Sequence, residues 1–152
     1  MPGSVTIVFD EAAPRLLREE LQSIADHVED SLEVIKLPPI VVRTDCSFAT
    51  SKRHFAGVIT GNVVVMYVCP DLANQPISLI RGVLYHEMGH VLQFIEKQLK
   101  GKNEMGDRDY EQDCDYKVEM TCGIKIYYDK SMVQRVGKKK KTWLMKRPRG
   151  LE

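Results

Sequence analysis

The chain has 152 residues, a length that fits one domain of ordinary size able to bury its own core. An apolar fraction of 43% and a charged fraction of 28% are those of a soluble globular protein. No apolar run approaches the roughly 20 residues needed to span a bilayer, which excludes a membrane-spanning helix. The net charge of +1 conceals an asymmetry. Residues 1–133 hold 14 basic against 20 acidic side chains, a net −6, whereas residues 134–152 reach +7. That run contains Arg135, Lys138 to Lys141, Lys146, Arg147 and Arg149, opposed only by Glu152. The expectation is a folded domain over 1–133 and a flexible basic tail over 134–152, ending in a cloning remnant, Leu151-Glu152.

The start, Met1-Pro2-Gly3-Ser4, lacks a basic region followed by an apolar stretch, so a cytoplasmic location is expected. Cys46, Cys69, Cys114 and Cys122 form no C-x-x-C pair. This argues against a cysteine-rich zinc ribbon and for four mostly buried thiols, with one or two disulfides if the protein is exported.

In chain order, residues 4–9 read as a short β-strand rich in β-branched side chains. Asp10 is placed to cap a helix with Pro14 in its first turn, running to about Val34. Leu17, Leu21, Ile24, Ala25, Val28 and Leu32 give that helix an apolar stripe at 3.6-residue spacing. Leu37-Pro38-Pro39 breaks it, and residues 40–43 form a second strand. Residues 55–60 and 63–69 flank Gly61-Asn62, a two-residue hairpin signal, and Pro70 closes the second strand. Asn74 or Gln75 can cap the next helix, with Pro76 in its first turn, Lys100 near its end and Gly101 as its stop. After a polar loop over 101–108, a helix from about Asp109 to Cys122 carries Glu111 and Asp115, and Gly123 ends or bends it before residues 124–128. These elements predict an α+β fold: a small, twisted, mostly antiparallel sheet with three helices.

The second of these helices carries His86-Glu87-Met88-Gly89-His90. Side chains four apart lie about one turn apart on a helix, so both imidazoles can reach a single ion. Glu87 projects about 100° around the axis from His86, close enough to act on water beside that ion. Zinc favours neutral imidazole nitrogens, an open position for water and a nearby carboxylate base, which is why this spacing carries chemistry. Ile77, Ile80, Leu84, Met88, Val91 and Ile95 fall on another line and should face the core. Gly82 and Gly89 share a third line. Glycine inside a helix costs roughly 0.5–1 kcal/mol against alanine, so the pair suggests a segment passing close by and delivering a third ligand.

The longer motif H-E-x-x-H-x-x-G-x-x-H is excluded by Gln93 and Glu96, and no histidine follows His90. The third ligand should then be a carboxylate. Glu111-Gln112-Asp113-Cys114-Asp115 offers two, one turn apart. Glu111 is the leading candidate, with Asp113, Asp115 and Glu119 as alternatives, and Asp115 is suited to hold the outer N–H of a ligand histidine.

On these two motifs, over about residues 40–122, the chain resembles the zincin metallopeptidases of the gluzincin branch, particularly small single-domain forms. The resemblance implies one Zn²⁺ held by His86, His90 and Glu111, with Asp115 behind a histidine and Glu87 as general base. It implies hydrolysis of peptide bonds in a protein or peptide substrate by metal-activated water. It also implies a strand before the metal helix at the cleft edge, for which residues 63–68 are the match. Tyr116, Tyr127 and Tyr128 could stabilise an oxyanion by type alone, and no spacing chooses among them. His27 and His54 read as structural or exposed. The basic tail, with Trp143 nearby, reads as a solvated end, a nucleic-acid attachment or a docking arm for an acidic protein surface. The competing functional class is a catalytically silent binding module of the same fold whose tail is the working part.

Overall fold

The computed structural model describes residues 4–33, 35–45, 55–127 and 132–135. The expectations for Cys46, His54, Tyr128, Trp143 and the basic run beyond Arg135 lie outside the described residues.

Strand β1 (Ile7–Phe9) leads into helix α1 (Arg15–Leu32). All six apolar residues of the expected stripe on α1 are buried, Leu17 through Leu32, because a 3.6-residue period keeps them on one side. Pro14 occupies the N-cap, and Asp10 does not cap the helix. Its carboxylate instead accepts from the Thr44 backbone N–H at 2.7 Å and from Thr44 Oγ1 at 2.6 Å, tying two strand ends together.

Strands β2 (Ile40–Thr44), β3 (Ala56–Thr60) and β4 (Val64–Val68) complete a four-stranded sheet of order β1-β2-β4-β3. Ile7 pairs with Ile40 and Val42 with Met66 in parallel register; within this sheet only β3 and β4 are antiparallel. The expectation of a mostly antiparallel sheet is therefore corrected. α1 bridges β1 and β2, and a helical crossover returns the chain in its original direction. The hairpin is also tighter in sequence than in space. Thr60 pairs with Val64, so its loop has three residues, Gly61, Asn62 and Val63, and not two.

This topology overturns the expected edge strand. β4 lies inside the sheet, with Val64, Met66 and Val68 buried, and β3 is the outer strand, with Ile59 58% exposed. A hairpin places its first strand outside when its second pairs inward with β2.

A 3-10 turn (Pro70–Asn74) precedes helix α2 (Ile77–Lys100). Pro76 takes its N-cap, and Gly101 ends it in the left-handed region at φ 82°, its N–H donating to the Lys97 carbonyl. Helix α3 (Tyr110–Cys122) starts at a reciprocal cap: Asp109 accepts from the Gln112 N–H, and the Gln112 side chain accepts from the Asp109 N–H. Gly123, at φ 70°, turns the chain into β5 (Ile124–Tyr127), which pairs antiparallel with β6 (Met132–Arg135).

On α2, Ile80, Leu84, Met88, Val91 and Ile95 face the core as expected, but Ile77 in the first turn is 43% exposed. The other side of α2 is buried as well, through Gly89, His90, Gln93 and Glu96, because α3 packs there. Cys69 is disulfide-bonded, correcting the expectation of four thiols, whereas Cys114 and Cys122 are buried thiols. Among the described residues, no helix is long and apolar enough to cross a membrane.

Candidate metal centre

α2 and α3 come together at a glycine. A Cβ at position 89 would lie 2.4 Å from the Cys114 carbonyl oxygen and 2.8 Å from its carbon. The backbone of α3 thus passes directly over Gly89, and only the missing side chain permits it. That passage carries the first turn of α3 onto the two histidines.

Glu111 reaches both rings. Its Oε1 lies 3.5 Å from His86 Nε2 and its Oε2 lies 3.0 Å from His90 Nε2. The rings stand edge to face, with centroids 5.0 Å apart. Their outer nitrogens are held from behind. His86 Nδ1 meets Asp115 Oδ1 at 2.8 Å, and His90 Nδ1 meets Gln93 Oε1 at 2.8 Å. With each Nδ1–H donating outward, both Nε2 atoms face Glu111, where the neutral rings would offer lone pairs to a metal once His86 gives up its proton.

The Gln93 amide is itself fixed, donating to the Tyr110 carbonyl and to Asp113 Oδ2, both at 2.9 Å. Asp113 is fully buried and bound by Arg108 and Lys117, and Lys117 Nζ also reaches Glu96 Oε1 at 3.1 Å. Asp113 is therefore committed to this buried ionic network and is not at the histidine pair. Among the described residues, the potential ligands that cluster are His86, His90, Glu111 and Cys114, whose donor atoms lie within 4.8 Å of one another. Glu119 is not in that group.

Glu87 is buried beside this cluster, and its Oε1 has no hydrogen-bond partner among the described residues. Burial is the main cause that pushes its pKa up to about 7; the Glu111 and Asp115 charges add to it, and His86 opposes it. For His86, burial alone acts downward. The Asp115 hydrogen bond and the Glu87, Asp115 and Glu111 charges outweigh it and raise the pKa to about 9. His90 moves the other way: burial lowers its pKa, and a charged His86 nearby lowers it further. The pair therefore holds a proton on His86 and leaves His90 neutral when no ion is bound.

The donors fit zinc. Two imidazoles and a carboxylate are the ligand types such a site uses, at spacings set by bonds of about 2.0–2.2 Å. A buried carboxylate oxygen next to them, unpartnered among the described residues, suits a water or an ion.

Three residues of the centre are not found by motif reasoning. Gln93 lies three positions after His90, a helical-neighbour spacing that would have marked it. Tyr110 stacks on the His90 ring at 5.0 Å, and nothing in the sequence signals that contact. Cys114 shares a helix face with Glu111 by the same three-residue spacing. Of the tyrosines considered for an oxyanion, Tyr116 carries the Arg108 guanidinium 3.7 Å above its ring, while the Tyr127 side chain lies outside the described residues. His27 is paired with the Tyr85 hydroxyl at 2.8 Å.

Comparison with protein-family models, with curated proteins and with solved structures returns no match.

Proposed function

We propose that the protein is a zinc-dependent peptidase of the zincin type, cleaving a protein or peptide substrate. The observation that carries this reading is the convergence of both Nε2 atoms on the Glu111 carboxylate beside the buried, unpartnered Oε1 of Glu87. His86, His90 and Glu111 would hold one Zn²⁺, which when bound would supply Lewis acidity and make water a stronger acid near neutral pH.

The remaining roles belong to the chain itself. Glu87 accepts the proton of the attacking water and returns it to the leaving amine. Burial raises its basicity toward neutrality, which suits both steps. Asp115 and Gln93 hold the two imidazoles in the tautomer that keeps Nε2 unprotonated. An extended substrate would pair with the outer edge of β3, the antiparallel rim of the sheet. The disulfide at Cys69 suits an oxidising compartment, so the cytoplasmic expectation is not carried into this proposal.

A second reading has an observation of its own. Cys114 makes the cluster a four-donor set, and closed four-ligand sites are structural. On that reading the protein is a metal-stabilised binding module, with the basic run over 135–149 as its contact for nucleic acid or an acidic partner.

One comparison separates the two. The zinc content of the purified protein is measured, and cleavage of a mixed peptide library is followed beside Glu87→Gln. The peptidase reading expects full metal in both, with turnover lower by about 10²–10⁴-fold in the variant. Stoichiometric zinc without cleavage by the parent would favour the binding module.

A further inference from the structure

We infer that Asp113, although it is not one of the metal donors, is the positioning residue that decides which nitrogen of His90 is open to the ion, by setting the direction of the Gln93 amide. The inference rests on the metal-binding reading above and deepens it.

A glutamine amide is nearly symmetric in shape but not in polarity: one end only accepts, the other only donates. Gln93 is fully buried, so both ends must be met by protein groups. Its two N–H protons have two acceptors, the Tyr110 carbonyl and Asp113 Oδ2, both at 2.9 Å. A carbonyl and an ionised carboxylate have no proton to give an amide oxygen. The oxygen end therefore faces the other way, onto His90 Nδ1 at 2.8 Å. An acceptor at that place puts the ring proton on Nδ1 and leaves Nε2, 3.0 Å from Glu111 Oε2, to the metal. Turned round, the amide would drive the proton onto Nε2 and close that nitrogen to an ion.

Asp113 is arranged to remain an acceptor, because its two oxygens divide the work. Oδ1 takes Arg108 Nε at 3.0 Å, Arg108 Nη2 at 2.9 Å and Lys117 Nζ at 3.2 Å. Oδ2 is left to Gln93. Both cations are themselves held. Arg108 lies over the Tyr116 ring, and Lys117 donates to the Glu104 carbonyl at 2.8 Å. This division predicts what an amide at position 113 would do. Its oxygen must stay with Arg108 and Lys117, so its NH2 group takes the place of Oδ2 and meets the NH2 group of Gln93, donor against donor. Asp113→Asn thus keeps the shape of the side chain and removes the polarity that orients Gln93.

The test uses the full chain. Zinc affinity is measured by competition with a chromophoric chelator, and exchange of the His90 Nδ1–H and Gln93 amide protons is followed by NMR on the zinc-loaded protein. In wild type these protons should be slow to exchange. Asp113→Asn should bind zinc about 10–100-fold more weakly and expose the Nδ1–H to faster exchange. Glu96→Gln, which disturbs Lys117 but leaves Asp113 its acceptor role, should melt earlier yet keep wild-type affinity and exchange. Wild-type affinity in Asp113→Asn, or an equal loss in Glu96→Gln, would overturn the proposal. Zinc uptake equal in wild type and His86→Ala would overturn the metal centre itself, and this role with it. Should Asp113→Asn fail to fold, nuclear Overhauser contacts in the zinc-loaded wild type decide. Gln93 amide protons close to the Asp113 β-protons support the assigned direction, and the same protons close to the His90 Nδ1–H remove it.

Discussion

Gln93 does for His90 what Asp115 does for His86, but with a neutral group. The difference has consequences for charge. A carboxylate stabilises imidazolium and helps keep a proton on His86; at His90 burial lowers the pKa and outweighs the smaller upward pull of the Gln93 amide, so the ring stays neutral and ready for a metal. Replacing Gln93 with leucine keeps the bulk but removes both the acceptor for His90 and a donor to Asp113. Zinc affinity, measured by competition with a chromophoric chelator, should fall about 10–100-fold. Unchanged affinity would show that the ring is held by packing against Tyr110 alone.

At the scale of elements, the centre exists because two helices touch. Glycine to alanine inside an exposed helix is stabilising by roughly 0.5–1 kcal/mol. Gly89→Ala should have the opposite sign, because its methyl would meet backbone of α3 at 2.4 Å. Backbone cannot rotate away, so a cost of about 3 kcal/mol in denaturant unfolding is expected, with weaker zinc binding as Glu111 is pushed outward. The far end of the same contact depends on Lys117, 1% exposed between Asp113 and Glu96. Lys117→Met should cost about 3 kcal/mol, since it takes from the buried Glu96 its closest cation and leaves Asp113 with Arg108 alone. Retained stability in that variant would mean that Lys100 and Arg108 suffice for the two carboxylates.

At the scale of the molecule, the two shifted groups of the centre make metal-free stability depend on pH. His86 has a folded pKa of about 9 against an ordinary 6.5, so its contribution is complete below about 6.5 and lost as pH rises through 9. Glu87, at about 7 against 4.5, acts in the same direction at lower pH: its unfolded carboxyl ionises first, and stability falls between 4.5 and 7. The metal-free protein should therefore melt at lower temperature as pH rises from 5 to 9, by on the order of 5–10 °C. Glu87→Gln should flatten the lower half of that profile. Zinc should reverse the trend, because it competes with the proton on His86. A melting profile flat over this range would contradict these assignments.

The balance between sequence and tertiary structure follows from how far each signal reaches. Periodicity and end signals are local, so α1, α2 with its stop at Gly101, and α3 before Gly123 are legible in the chain. So is the placement of His86, Glu87 and His90 on adjacent lines of one helix. Strand direction is not local. It depends on what connects the strands, which is why β1, β2 and β4 run parallel and β3, not β4, forms the edge. The approach of α3 is not local either. A glycine on α2 announces that something passes, but only packing determines that it is the carbonyl of Cys114. That contact brings Glu111, Asp115, Cys114 and the Asp113 network to the histidines. The sequence by itself determined the helix that presents the two imidazoles and the base, because 3.6-residue geometry acts within a few residues. Which side chains surround them was decided by the tertiary structure alone, because contacts 20 to 29 positions apart depend on how the whole chain packs.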